Sequence, residues 1–200
     1  MRTANVQRQT KETNIDLHVN LDDPSETTIE TGVPFFTHML EALSLHGGIG
    51  MHLAVQSDGN PHHVVEDVGI ALGTALKNVI ADTAGIRRFG SASIPMDDSL
   101  ATIAVDAAGR SYVVFNATIA SGVDGIDASL VKHFVQSLAS HAMLTIHVNA
   151  YGSDDHHTIE AIFKALGVAL SEALQPREGI RSTKGAVSYT HLTLPTKRIV

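Results

Sequence analysis

The sequence predicts an α+β protein built from two fused ββαβα half-domains, an internal duplication whose antiparallel sheets carry helices packed on one face. Three observations predict it. First, His62-His63-Val64-Val65-Glu66, flowing into Ala71-Leu72-Gly73-Thr74-Ala75-Leu76, recurs as His156-His157-Thr158-Ile159-Glu160, flowing into Ala165-Leu166-Gly167-Val168-Ala169-Leu170. Second, the repeat extends upstream: the stretch from His38 to His46 parallels that from His133 to His141, and His52 matches His147. Third, strand-like runs precede the helices in each half, the clearest from Lys11 to Asp22, where apolar and polar residues alternate as in a half-buried strand.

The elements follow in chain order. Ile15, Leu17, Val19 and Leu21 alternate with polar neighbours between Lys11 and Asp22, which predicts a strand, and Thr27 to Thr31 predicts another after the Pro24-Ser25 turn. Pro34 opens a helix to about His46, and Gly47-Gly48 closes it. Met51 to Gln56 is a strand. After the Ser57-to-Pro61 loop, the first His-His pair opens a helix that runs to about Asp82. Gly85 to Gly90 and a Ser-rich segment join the halves. Strands are predicted at Leu100–Val105 and Tyr112–Ile119, around an Ala107-to-Arg110 turn. A helix at Ser129–His141, a strand at Leu144–Ala150 and a helix at His156–Leu174 complete the second copy. The first half is expected over 1–92 and the second over 93–185. Residues 186–200 fit no part of the repeat and read as a non-native or disordered tail.

Composition narrows the function. The net charge of −7 and the absence of Trp argue against a nucleic-acid binder, and zero Cys excludes thiolate metal sites and disulfides. No apolar run reaches membrane-spanning length and Met1 to Thr13 lacks a signal-type apolar core, so a cytoplasmic protein is expected. The unusual total is histidine, with twelve, mostly inside the repeated blocks.

A structural repeat keeps apolar positions; this one also keeps histidine and glutamate at 38/133, 46/141, 52/147, 62/156, 63/157 and 66/160. Helical spacing puts Glu66 beside His62 and His63, and Glu160 beside His156 and His157. Adjacent histidines point about 100° apart, so each pair reaches toward two ions rather than gripping one. One ligand set per half gives His38, His62, His63 and Glu66, then His133, His156, His157 and Glu160. Imidazole and carboxylate without thiolate suit Mn, Fe, Co, Ni or Zn, with Mn fitting an octahedral site, and open positions point to catalysis. For His46, His52, His141 and His147, supporting or structural roles stand beside direct ligation. Arg88, Arg110, Lys164 and Lys184 lie where they can hold an anion, and Ser182-Thr183-Lys184 offers hydroxyls and an ammonium suited to a phosphate. Glu12 has a strand-edge reading and an acid/base one; it and His46 are the candidate catalytic residues.

The motifs resemble those of the imidazoleglycerol-phosphate dehydratase family. They are TKET at 10–13, Thr31 to His46, HHVVEDVGIALG at 62–73, RFG at 88–90, PMDDSLA at 95–101, Gly109-Arg110, HFVQSL at 133–138, DHHTIEAIFKAL at 155–166 and STKG at 182–185. The resemblance implies a hydro-lyase of histidine biosynthesis. It implies two Mn(2+) per active site held by the eight ligands above, and a 24-subunit homo-oligomer with sites between subunits. It also implies phosphate contacts from Arg88, Arg110, Lys164, Ser182 and Lys184, with Glu12 at the substrate. Thr37 stands where the family has Asp, the loop before His62 is shorter, and the chain beyond Gly185 has no counterpart. The expected reaction is metal-dependent dehydration of imidazole glycerol phosphate to imidazole acetol phosphate through a metal-bound imidazolate. A two-metal phosphoesterase and a non-catalytic metal-binding protein are the alternatives.

Overall fold

The computed structural model describes residues 1–81 and 85–177. The first half runs β1 (Thr3–Gln9), β2 (Thr13–Asn20), β3 (Thr28–Glu30), α1 (Pro34–Gly47), β4 (Gly50–Ser57) and α2 (Pro61–Ala81). The second repeats the order as β5 (Phe89–Met96), β6 (Ser99–Asp106), β7 (Tyr112–Ala117), α3 (Ala128–Ala142), β8 (Thr145–Tyr151) and α4 (Asp155–Ala173). The predicted helices and inner strands are all present, and each half gains one edge strand, β1 or β5, that the sequence reading leaves unassigned.

The two sheets have the same order, β1-β2-β4-β3 and β5-β6-β8-β7. They are mixed rather than wholly antiparallel, because β3 pairs parallel with β4 and β7 parallel with β8. In each pair the helix between the strands returns the chain to the same end, which is what a parallel neighbour requires. The alternation predicted for β2 holds: Ile15, Leu17 and Val19 are buried while Asn14 and Asp16 are exposed.

Caps fix where the helices start. Asn60 accepts the His62 N–H at 3.0 Å, Asp127 the Leu130 N–H at 2.9 Å, and Asp154 the His157 N–H at 3.1 Å. The helix ends differ: Gly48 closes α1 in the left-handed conformation at φ 58°, whereas Met143 takes the same conformation after α3 at φ 57°. The predicted apolar stripes, Val68-Leu72-Leu76 and Ile162-Leu166-Leu170, are buried throughout.

The halves meet through their helices, α1 against α4 and α2 against α3, with each helix layer lying on its own sheet. The glycine of each repeated ALG motif explains the approach. A Cβ on Gly73 would sit 2.5 Å from the Leu138 carbonyl oxygen, and one on Gly167 would sit 2.3 Å from that of Leu43. Backbones therefore touch where the halves cross. Phe36, Phe134 and Phe163 fill the centre, with ring centroids 5.1–6.3 Å apart. Each such pair adds about 0.5–1.5 kcal/mol beyond its buried area. Among the described residues, no helix is long and apolar enough to cross a membrane.

Candidate metal centres

The crossing of the halves brings histidines from one half to glutamates of the other. His38 on α1 meets His156 and Glu160 on α4, and His133 on α3 meets His62 and Glu66 on α2. Each cluster thus draws on both halves, whereas the sequence reading counted one set per half. Strand and helix periodicity describe each half alone; the exchange of the lone histidines is a property of how the halves dock.

In the first cluster Glu160 Oε2 lies 3.1 Å from His156 Nε2 and 3.4 Å from His38 Nε2. In the second, Glu66 Oε2 lies 3.7 Å from His62 Nε2 and 3.4 Å from His133 Nε2, and the His62 and His133 rings stack at 4.9 Å. Two donors at right angles, each ~2.1 Å from a common ion, sit ~3 Å apart. These separations fit a shared cation. His133 Nε2 is buried and makes no hydrogen bond, a costly state that a metal–nitrogen bond would relieve.

The two clusters differ in their surroundings. Glu160 is buried, and its other oxygen receives the Lys164 ammonium at 2.8 Å. Burial pushes the Glu160 carboxyl up, but Lys164 and His38 outweigh it and leave the group below the ordinary carboxylate range. Glu66 keeps 40% of its side chain exposed, and Ile70 stands where Lys164 stands in the other helix.

The second histidine of each pair lies outside its cluster, with its ring plane crossing that of the first at 83° and 81°. His63 Nδ1 meets Asp58 at 2.9 Å and His157 Nδ1 meets Asp98 at 2.8 Å. Carboxylate contact at Nδ1 is how proteins orient metal-binding imidazoles, and it leaves Nε2 of His63 facing Glu12 and that of His157 facing Asp97, each at 3.8 Å. Asp58 and Asp98 escape sequence reasoning because one reads as a loop residue and the other stands in PMDDSLA with no histidine nearby in sequence. The signal that could have found them is position, since each stands next to a loop that precedes or faces a His-His pair.

The hydrogen bond that His157 Nδ1–H donates to Asp98 raises the His157 pKa above its ordinary value and helps hold Asp98 well below the usual carboxylate range. The folded-state imidazole pKa lies above the unfolded one. Its contribution to stability is therefore complete below the unfolded value and disappears as pH rises through the folded value. Asp98→Asn is expected to return the His157 midpoint toward 6.5 in metal-free protein. An NMR titration of the imidazole checks this, and an unmoved midpoint would show that another group raises it.

The remaining candidates are scattered. Glu12 is exposed, with Oε1 3.8 Å from His63 Nε2. His46 is exposed on the last turn of α1, and at 1.5 Å per residue it stands about 12 Å along the helix from His38. Arg88 is bound by Asp106 through Nε at 2.7 Å and a second nitrogen at 3.1 Å, and lies over the Phe89 ring at 4.7 Å. Arg110 is exposed in the β6–β7 turn, and Lys164 is engaged by Glu160. Thr37, beside His38, bonds the Thr31 hydroxyl at 2.8 Å. Ser182, Thr183 and Lys184 lie outside the described residues, as does the 186–200 tail.

Two thiolate-free clusters, each of two histidines and one glutamate, on a duplicated α+β frame define a candidate metalloenzyme. Comparison with known proteins gives its kind. The imidazoleglycerol-phosphate dehydratase family model matches residues 31–170. A relative of that name from Methanosphaerula palustris is 48% identical over 195 residues, spanning 94% of this chain and 100% of its own. One from Lacticaseibacillus casei is 45% identical over 194 residues, spanning 94% and 100%. The crystal structure of the Pyrococcus furiosus enzyme in complex with (S)-C348 matches with a TM-score of 0.82 at 37% identity, covering 90% of this chain and 99% of that one. The Staphylococcus aureus enzyme matches at 0.79 and 38% identity, covering 88% and 99%. The chain belongs to the imidazoleglycerol-phosphate dehydratase family, the hydro-lyases of histidine biosynthesis.

Proposed function

We propose that this chain converts imidazole glycerol phosphate to imidazole acetol phosphate, using manganese ions, two per active site. The observation that carries this reading is the pair of cross-half clusters, His38-His156-Glu160 and His62-Glu66-His133, in a chain of this family. Bound there, the ions would supply Lewis acidity and a seat for the substrate's imidazole. Nitrogen and carboxylate donors with no cysteine suit such an ion.

Within that reading, His63 and His157 are the remaining ligands. Their rings serve sites shared with neighbouring subunits of a homo-oligomer, for which the family resemblance suggests 24 copies. The catalytic unit is the pair of halves, 1–92 and 93–185, and the enzyme works in the cytoplasm. Arg88, Arg110, Lys164, Ser182, Thr183 and Lys184 hold the phosphate, with Arg88 and Lys164 re-partnering from Asp106 and Glu160. The net reaction removes a hydroxyl from one carbon and a proton from its neighbour, and the resulting enol tautomerises to the ketone. Glu12 is the acid/base group that carries the proton, and His46, facing outward, acts toward a site shared with a neighbour.

Incubation with Mn(2+) and imidazole glycerol phosphate is expected to yield the ketone. Free phosphate would instead establish a phosphoesterase, and no turnover with retained metal would establish a binding protein. The phosphate assignment has its own test. A charge-assisted hydrogen bond contributes about 1.5–3 kcal/mol, so Lys184→Ala is expected to weaken a phosphorylated substrate analogue by about 10- to 100-fold. The matching unphosphorylated alcohol is expected to bind as before. Equal losses for both ligands would place Lys184 in the structure rather than at the phosphate.

A further inference from the structure

The first half contains a half-buried ion pair, a buried Asp67 with a partly exposed Arg8, that its twin lacks. Asp67, which follows Glu66, is only 5% exposed. Its Oδ1 accepts from Arg8 Nε at 2.8 Å and lies 2.7 Å from a second Arg8 nitrogen. Its Oδ2 accepts the Thr13 hydroxyl and, at 3.4 Å, that of Thr10. Thr10 Oγ1 in turn accepts the backbone N–H groups of Glu12 at 3.1 Å and Thr13 at 2.9 Å. On the other side, the Glu12 carbonyl accepts the Asp58 N–H at 3.0 Å, and the Asp58 carboxylate meets His63. The turn that presents Glu12 is thus tied to α2 through Asp67 and to the β4–α2 loop through Asp58.

The duplication supplies an internal control. His18 faces His52 in the β2–β4 pairing and Ala104 faces His147 in the β6–β8 pairing, so β2 and β6 align residue for residue. Arg8 faces Ile15 on β2, and Ile94 faces Ala101 on β6, the residue that matches Ile15. The His-His-x-x-Glu spacing matches Asp67 to Ala161. The second half therefore closes the same sheet and helix with Ile94 and Ala161, and Ala161 is fully buried. A buried ion pair is often no more stabilising than apolar residues in its place, and the twin demonstrates that the fold does without it. The same alignment matches Glu12 to Asp98, whose carboxylate accepts from His157 Nδ1 at 2.8 Å and from the backbone N–H groups of Ser153 at 2.6 Å and Asp154 at 2.9 Å; in the first half the Arg8–Asp67 pair stands beside the turn instead.

We propose that Arg8 and Asp67 are positioning residues for the Glu12 carboxylate. They lock the Thr10-to-Thr13 turn so that Glu12 stands on the His63 side of the site. This rests on the reading of Glu12 as the acid/base group, and the experiment separates the two.

The test substitutes the twin's residues, Arg8→Ile with Asp67→Ala, in the full-length, manganese-loaded protein; Asp67→Asn serves should the double variant not fold. Three measurements are made. Amide hydrogen exchange at Glu12 and Thr13 is expected to speed up by about tenfold or more, while Leu72 in α2 stays protected. Manganese content is expected to be unchanged. Turnover is expected to fall on the order of 100-fold, the scale of a misplaced catalytic group, with KM within a few-fold. In a Glu12→Gln background the same substitutions are expected to cost nothing further. Unchanged exchange at Glu12 and Thr13 would overturn the proposal. So would lost manganese, or losses that multiply with Glu12→Gln. If the parent protein proves not to dehydrate imidazole glycerol phosphate, the functional reading fails by itself and the exchange measurement still decides whether the pair holds the turn.

Discussion

Glu160→Ala and His62→Ala are each expected to abolish dehydratase turnover while leaving the fold in place. Removing a partner that merely orients a metal ligand typically costs 10- to 100-fold; removing a ligand from a three-residue cluster is expected to exceed that. Glu160 is the stronger case, because its two oxygens serve two ends: one faces His38 and His156, the other binds Lys164. Alanine there empties the cluster of its only charge. Lys164 keeps 21% of its side chain exposed and can turn outward, so the cost in stability stays near the ~1 kcal/mol of a partly exposed pair. His62 lies outside the buried Val68-Leu72-Leu76 stripe, and its loss leaves the core untouched. The check is steady-state turnover at saturating manganese beside a thermal melt. Near-normal turnover in either variant would strike that residue from the ligand set.

Removal of metal is expected to silence the enzyme and shrink the particle together. Each cluster joins the halves, and on the proposed reading His63 and His157, which stand outside the clusters, contact a neighbour's ion. An ion present at ~1,000 times its dissociation constant stabilises the state that binds it by about 4 kcal/mol. Without it, His133 Nε2 is left buried and unpartnered. Light scattering before and after chelation reads the mass, and an activity assay on the same samples reads function; restored manganese should recover both. Full activity in a chelated, metal-free sample would exclude the metal reading. An unchanged mass would exclude the subunit-bridging role of His63 and His157.

Periodicity made the helices and inner strands legible because burial there is one-sided and regular. It missed β1 and β5, though it found the opposite edges β3 and β7, because β1 and β5 bury small or half-covered residues in place of a strong apolar alternation. An edge strand hydrogen-bonds on one side only, so β1 survives with Ala4 and Val6 as its inward apolar residues, and β5 tolerates Pro95 on its exposed face. The parallel pairings were hidden too, since a strand's own sequence does not say which way its neighbour runs. At the candidate centres, spacing supplied the residues and the splaying of each His-His pair. It could not say which half provides the lone histidine, because docking decides that. Asp67 stands within HHVVED, where spacing alone gives it no partner. Its partner Arg8 lies on a strand that was not recognised, so the pair had no geometry from which to be read.

The close crossing at Gly73 and Gly167 bears on ancestry. A chain of half this length, carrying one ALG helix, would leave its helix layer open to water. Two copies related by a twofold axis would cover that layer, each glycine admitting the other copy's backbone. The same docking would create two identical cation pockets at once, each borrowing a histidine from its mate. On this view the metal centres belonged to a dimer before they belonged to a single polypeptide. Fusion then freed the two pockets to diverge, one acquiring Lys164 and the other remaining open beside Ile70.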